Sequence, residues 1–227
     1  LQRKLEKLEN IKNTLLEKMF ASAKSSYPAI RFKGFTNAWE QKNFKSLYYF
    51  ASEGGTPSTK NGMFYKNGKV PFVKINDMFS KYIWKTDSYI TEKGVLNSSA
   101  WIMKANNLIL SNGATIGKTS INKVDLATKQ GILGILLNDN FDLEYIYYLL
   151  NTSYFQNELK VSSYTTTIPT LPLKVIDKIK LFITNNKTEM KKISSFFSSL
   201  ESTVSLLQRK LEKLENIKNT LLEKMFV

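Results

Sequence analysis

The chain has 227 residues, with 33 Lys and Arg against 19 Asp and Glu and no histidine, for a net charge of +14. Hydrophobic residues make up 42% and aromatics 12%, enough to bury a core, which excludes general disorder. With neither cysteine nor histidine there are no disulfides, zinc ribbons, thiol nucleophiles or iron–sulfur clusters, and no triad, general base or metal site built on histidine.

Residues 1–20 lack proline and glycine, are rich in Leu, Lys, Glu and Asn, and predict a helix with one sticky side. Leu1-Gln2-Arg3-Lys4 is not a signal peptide, and without an initiator Met the chain is expected to be cut from a longer protein. Residues 21–26 form a small-residue linker, and Pro28 to Glu40 is irregular and aromatic. Strands are predicted at Val70–Lys74, Tyr82–Ile90, Asn107–Leu110, Thr119–Val124, Ile132–Leu137 and Ile179–Ile183, short runs broken by Gly, Asn and Asp. Asp142 to Lys160 reads as a helix with Asp142 near its N-cap and Tyr145, Tyr148, Leu149 and Phe155 facing inward. No apolar run approaches ~18 residues, so no membrane-spanning helix is expected.

The last element is the longest. Met190, Ile193, Phe197, Leu200, Val204, Leu207, Leu211 and Leu214 recur in alternating steps of three and four, a coiled-coil seam. It continues through Ile217, Leu221 and Met225 with a phase shift. From Lys187 to Phe226 this predicts one helix of roughly 60 Å, at about 1.5 Å per residue. Residues 207–226 repeat residues 1–20 letter for letter, LQRKLEKLENIKNTLLEKMF. One helix leads into the globule and the other out of it, so antiparallel packing is expected, with Phe20 near the start of the long helix. The seam pairs Leu5, Leu8, Ile11 and Leu15 with Ile193, Phe197, Leu200, Val204, Leu207, Leu211 and Leu214. Roughly residues 210–226 are left uncovered as a contact for another chain.

The division is then 1–20, 21–186 and 187–227, and the fold class is α+β: a mixed sheet on a long antiparallel two-helix coiled coil. Residues 21–187 carry 21 Lys and Arg against 11 Asp and Glu, so most of the surplus follows the globule. That favours the globule as the binder of a polyanion such as nucleic acid. Three polar loops qualify. Thr56, Ser58 and Lys60 follow Gly54-Gly55, where bare backbone approaches phosphate. Ser111, Asn112, Thr115 and Lys118 lie in a glycine loop that lacks the Gly-x4-Gly-Lys-Ser/Thr spacing of nucleotide binders. Tyr164, Thr165, Thr166 and Thr167 supply a run of hydroxyls. Lys74, Asn76, Asp77, Lys129 and Gln130 are candidate base readers, because Asn and Gln suit adenine, Lys guanine and Asp the cytosine amino group. Tyr82, Trp84 and Trp101 are assigned to the core or its rim.

A metal-dependent nuclease needs carboxylates beside a lysine. Asp142 with Glu158-Leu159-Lys160, and Asp177 with Glu189-Met190-Lys191, match those letters but sit in stretches with charges at helical spacing. No Asn-Pro-Pro-Tyr motif or glycine-rich strand–turn–helix suggests methyl transfer. The chain reads as non-catalytic, with no metal and no cofactor.

These motifs, in this order, resemble one family. Pro28-Ala29-Ile30-Arg31-Phe32-Lys33-Gly34-Phe35 with Trp39-Glu40, Gly54-Gly55-Thr56-Pro57-Ser58, Val70-Pro71-Phe72-Val73, Ala114-Thr115-Ile116-Gly117 and Ala127-Thr128-Lys129-Gln130-Gly131 look like the target recognition domain of a type I restriction–modification specificity subunit. Ile168-Pro169-Thr170-Leu171-Pro172 and the ending Leu221-Leu222-Glu223-Lys224-Met225-Phe226 complete the pattern.

The resemblance implies a bacterial, cytoplasmic protein, which the absence of cysteine fits. It implies two recognition domains, each reading one part of a split double-stranded DNA site and each followed by a conserved spacer helix. Methylation and restriction subunits hold the cofactors and the chemistry. This chain carries one such domain, as a C-terminal half or a half-length subunit, so a homodimer or second half-subunit through 210–226 is a possible partner. The alternative from another class is a coiled-coil adaptor whose globule binds protein.

Overall fold

The computed structural model describes residues 1–23, 25–113, 115–163 and 170–225. In chain order its elements are α1 (Gln2–Met19), β1 (Glu40–Asn43), β2 (Tyr48–Glu53), β3 (Val70–Val73), β4 (Tyr82–Ile83), β5 (Tyr89–Ile90) and α2 (Glu92–Leu96). There follow β6 (Ile102–Met103), β7 (Leu108–Ser111), β8 (Thr119–Asn122), β9 (Leu126–Thr128) and β10 (Ile132–Leu137). The chain continues with α3 (Leu143–Leu150), α4 (Ser153–Ser163), α5 (Leu173–Ile176), β11 (Lys180–Ile183) and α6 (Lys187–Met225).

Among the described residues, nine of the eleven strands fall into two stacked sheets. The five-stranded sheet has the order β2-β10-β7-β8-β4, and the four-stranded sheet the order β5-β3-β9-β6. Strand β1 pairs antiparallel with β11 as a separate ribbon. The alternation along β7 shows why the middle sheet is buried on both faces. Leu108 and Leu110 point into the core beneath the helices, while Ile109 joins Val73, Met103 and Leu126 between the two sheets. β10 does the same, with Leu133 and Ile135 on the helical side and Ile132 on the other. Pairing is mixed: β4 runs parallel to β8 and β3 parallel to β9, and the remaining pairs are antiparallel.

Two predicted elements split, each for a local reason. The stretch Tyr82–Ile90 becomes β4 and β5, in different sheets. Between them Thr86 donates to Ser88 O and accepts from Phe72 N, and Asp87 N donates to Asp77. These side chain–backbone bonds turn the chain. The stretch Asp142–Lys160 becomes α3 and α4. Asn151 closes α3 by bonding Tyr147 O, and Thr152 accepts from Phe155 N at the start of α4. Asp142 caps α3 as expected, accepting from Tyr145 N at 2.8 Å. Strands β1, β2, β6 and β9 and helices α2 and α5 add to the predicted set.

α1 runs beside the first half of α6 in the opposite sense. Glu9 accepts from Gln208, Lys12 lies 3.9 Å from Glu201, and Phe20 stacks on Phe197. The main core takes residues from both helices: Met19, Phe20 and Ala21, then Met190, Ile193 and Phe197. Phe20 is a hub, with its ring also against Trp39 and Tyr145.

Of the expected seam, Ile193, Phe197 and Val204 are buried, and Leu5, Leu8, Leu15, Leu200, Leu207 and Leu211 are half-buried. Ile11 and Leu214 depart from it, at 39% and 48% exposure. Ile11 sits on the flank of α1, because its neighbour Lys12 is the residue aimed at Glu201. Leu214 lies near the level at which α1 begins, where the pairing ends. The rest of the tail is open, with Ile217, Leu221, Leu222 and Met225 exposed.

Candidate nucleic-acid interface

Sheet register gathers four loops at one end of the five-stranded sheet. Ile132 at the start of β10 faces Ser111 at the end of β7, and Leu110 faces Thr119 at the start of β8. Glu53, closing β2, lies opposite Leu133, and Tyr82, opening β4, lies opposite Ile121. The loops 54–60, 74–81, 111–118 and 129–131 therefore share this end.

Three of them form the walls of a cleft of about 460 Å³, lined by Lys74, Ile75, Asn76, Thr115, Lys129 and Gln130, with Thr170 and glycine backbone completing it. Lys74, Asn76, Thr115, Lys129 and Gln130 are exposed, so their polar ends are free to meet a ligand. Among the described lining residues there are two ammonium groups and no carboxylate. The walls are stitched together beneath. Lys129 N bonds Val73 O at 2.9 Å, and Asn112 N and Gly113 N share Gly131 O, both at 3.0 Å. Gly131 has φ +87° and donates its N–H to Glu53 at 2.6 Å, a left-handed turn that a side chain would strain. Asp77 holds the other wall: one carboxylate oxygen accepts from Lys74 N at 2.7 Å and the second from Asp87 N at 3.0 Å.

Several expected contacts fall elsewhere. Asp77 is 7% exposed and has spent both oxygens on backbone, so it does not read a base. Ser111 and Asn112 are each 1% exposed: Ser111 bonds Thr115 O and accepts from Lys118 N, while Asn112 bonds Leu171 O. Both shape the cleft from below. Gly54-Gly55 packs on protein neighbours and lies outside the cleft lining. A Cβ on Gly54 would lie 2.0 Å from Thr128 O, and one on Gly55 2.3 Å from Ala100 N, so these glycines let the loop pack on its neighbours. Thr56 is half-buried, and Ser58 and Lys60 are exposed outside the cleft lining. Lys118 is exposed on the hairpin beside Thr115. Tyr164, Thr165, Thr166 and Thr167 lie outside the described residues. Thr170, noted in the sequence only as part of a motif and not as a contact, joins the lining. Trp84, assigned to the core or its rim, is 65% exposed, because its neighbour Ile83 takes the inward position.

Three of the four carboxylates that match nuclease letters are engaged structurally. Asp142 caps α3, Asp177 accepts from Tyr48, and Glu189 is fully buried against Arg31 and Thr184. Arg31 is held above its ordinary value by its hydrogen bonds to Glu189. Among the described residues no group of three or more Asp and Glu is placed to hold a metal ion. Nor is any helix among them long and apolar enough to cross a membrane.

The cleft end is joined to the long helix by a second polar cluster. Lys81, at the start of β4, donates to Glu144 at 3.1 Å, Tyr148 at 2.7 Å and Ser198 at 3.0 Å, and lies 3.4 Å from Glu201. Tyr82 and Ser198 also donate to Glu144. Burial pushes the Glu144 carboxyl up, but its bonds from Ser198, Tyr82 and Lys81 outweigh this and hold it below the usual range. Burial, then the neighbouring carboxylates, keep the Tyr82 phenol protonated. One lysine thus ties β4, α3 and α6 together, five residues beyond Asn76.

Residues 36–216 match the family described as "Type I restriction modification DNA specificity domain". The type I restriction enzyme MjaIX specificity subunit of Methanocaldococcus jannaschii is 29% identical over 192 residues, covering 83% of this chain and 44% of that protein. Among solved structures, the HsdS subunit from Thermoanaerobacter tengcongensis superposes with a TM-score of 0.65 at 15% identity, over 99% of this chain and 52% of that one. The S subunit of a type I restriction–modification system from M. genitalium gives 0.63 at 14%, over 99% and 55%. The chain spans about half the length of the relatives it matches.

Proposed function

This chain belongs to the type I restriction–modification DNA specificity family, and from that premise we propose that it reads one part of a split double-stranded DNA site for such a complex. The observation that carries the reading is the cleft: Lys74 and Lys129 for charge, with Asn76, Gln130 and Thr115 exposed beside them, on a base fixed by backbone bonds. Lysines neutralise phosphates and amides pair with base edges. Residues 21–186 are the recognition unit in this reading, α1 and α6 the spacer. The 39 residues of α6 span about 58 Å at 1.5 Å per residue, one to two turns of duplex at ~3.4 Å per base pair.

The chain catalyses nothing itself in this account. It acts in the cytoplasm and lends its DNA specificity to methylation and restriction subunits. A groove of about 700 Å³ on the outer side of α6, with Phe32 and Phe196 at its floor and Lys187, Lys191 and Lys192 around it, is available for such a subunit. The adaptor alternative draws no support from the family match. Titration against duplex DNA at rising salt tests the reading. Affinity is expected to fall steeply as counterions compete, with log–log slope near −0.9 per neutralised phosphate. A flat salt response removes it.

A further inference from the structure

We propose that Phe79 is a wedge that enters the base stack at the edge of the recognised sequence. The inference rests on the DNA reading above and adds a contact that the cleft lining does not contain.

Phe79 is 84% exposed and pairs with no other ring among the described residues. Exposure alone does not single it out, since single apolar residues are common on surfaces. Position does. Leu96 is equally exposed, but it ends α2, on the outer side of the four-stranded sheet. Tyr49 and Trp84 are 66% and 65% exposed, but β2 begins and β4 ends at the far end of the five-stranded sheet from the cleft. Phe79 follows the turn Ile75–Asp77, three residues after Asn76, and precedes the start of β4 at the cleft end.

Its backbone is fixed on both sides. Before it, Asp77 N bonds Lys74 O at 2.9 Å, Met78 N bonds Ile75 O at 3.2 Å, and Met78 is buried between the sheets. After it, Ser120 donates to Ser80 O at 2.8 Å and Ile121 N to Lys81 O at 2.7 Å. A ring displayed on a fixed turn needs no backbone ordering when it is bound, so only its own side-chain torsions offset the gain from its burial. Lys74 and Lys129 draw the duplex to the neighbouring cleft, and apolar side chains at such edges part a base step by partial unstacking. Pyrimidine–purine steps open most easily, so one is expected beside the bases that the cleft reads.

The full-length chain, with a duplex chosen by selection from random sequences, tests this. A fluorescent adenine analogue is placed in turn at each position. Wild type is expected to raise the fluorescence at one step flanking the recognised bases. Phe79→Ala is expected to abolish that rise and weaken binding about tenfold, as loss of one stacked ring does. The salt slope stays unchanged, because no charge is removed, and Phe79→Trp restores both signals. Equal affinity and equal fluorescence in Phe79→Ala overturn the wedge, as does a wild-type duplex with no unstacked step. If the wild type binds no duplex at all, the DNA reading fails, and the wedge with it, before any variant is made.

Discussion

At the scale of single residues, the proposed reading assigns charge and recognition to different side chains of the cleft. Lys129 and Lys74 are exposed ammonium groups without a carboxylate among the other lining residues. Lys129→Ala is expected to weaken binding to every duplex alike and to make the salt slope shallower by about one. Gln130→Ala is expected to relax the preference at one base pair, by about 1–3 kcal/mol, while leaving the salt slope in place. Fluorescence titrations on a matched and a mismatched duplex at several salt concentrations check both. Lys81 acts differently, because its partners come from β4, α3 and α6 at once. Replacing it by Met removes the ammonium that faces both half-buried carboxylates, leaving Glu144 with hydroxyl donors only and Glu201 with Tyr148 and the more distant Lys12, a loss of about 2 kcal/mol at neutral pH. Folding depresses the Glu144 carboxyl, so its contribution is complete above the ordinary value of 4.5 and is lost as pH falls through the folded value. The gap between wild type and Lys81→Met in urea melts is therefore expected to close on acidification. A gap that is constant down to pH 3 contradicts the ion-pair account.

At the scale of elements, the fold depends on close backbone approaches as much as on apolar runs. Gly54 abuts Thr128, with no room for a methyl group. Gly54→Ala is expected to cost at least about 2 kcal/mol, read as a lower thermal midpoint. An unchanged midpoint would show that the loop does not need that approach. The same scale explains what was legible in the sequence. β10 was plain in Ile132–Leu137, since Gly131 and Asn138 bound an apolar run that faces two cores. α6 was plain in its three-four spacing. β1, Glu-Gln-Lys-Asn, was not, because it is polar and is made a strand only by pairing with β11. β9 has three residues and carries no period. The loops of the cleft were legible as polar punctuation, but which side chains face out was not. Ser111 and Asn112 continue β7 into the interior, and only tertiary packing fixes that direction.

At the scale of the whole molecule, the repeated segment shows the same face twice. The groove with Arg3, Asn10, Ile11 and Leu15 on α1 recurs as Arg209, Asn216, Ile217 and Leu221 on the end of α6. α1 fills a seat on α6 near Glu201 and Gln208. The tail has the same sequence as α1, so a second copy's tail competes with α1 for that seat, while the exposed Ile217, Leu221 and Met225 are open to pair with their counterparts in a second copy. A dimer that forms as concentration rises is expected in light scattering, and Leu221→Glu is expected to return it to monomer. Only monomer at high concentration contradicts this assembly.

Selection of duplexes from a random pool, followed by sequencing, tests the central claim most directly. A sequence-reading cleft predicts enrichment of one short run of base pairs, lost or altered in the Asn76→Ala, Gln130→Ala double variant. Recovery of a random population by the wild type, at salt low enough for binding, would contradict it.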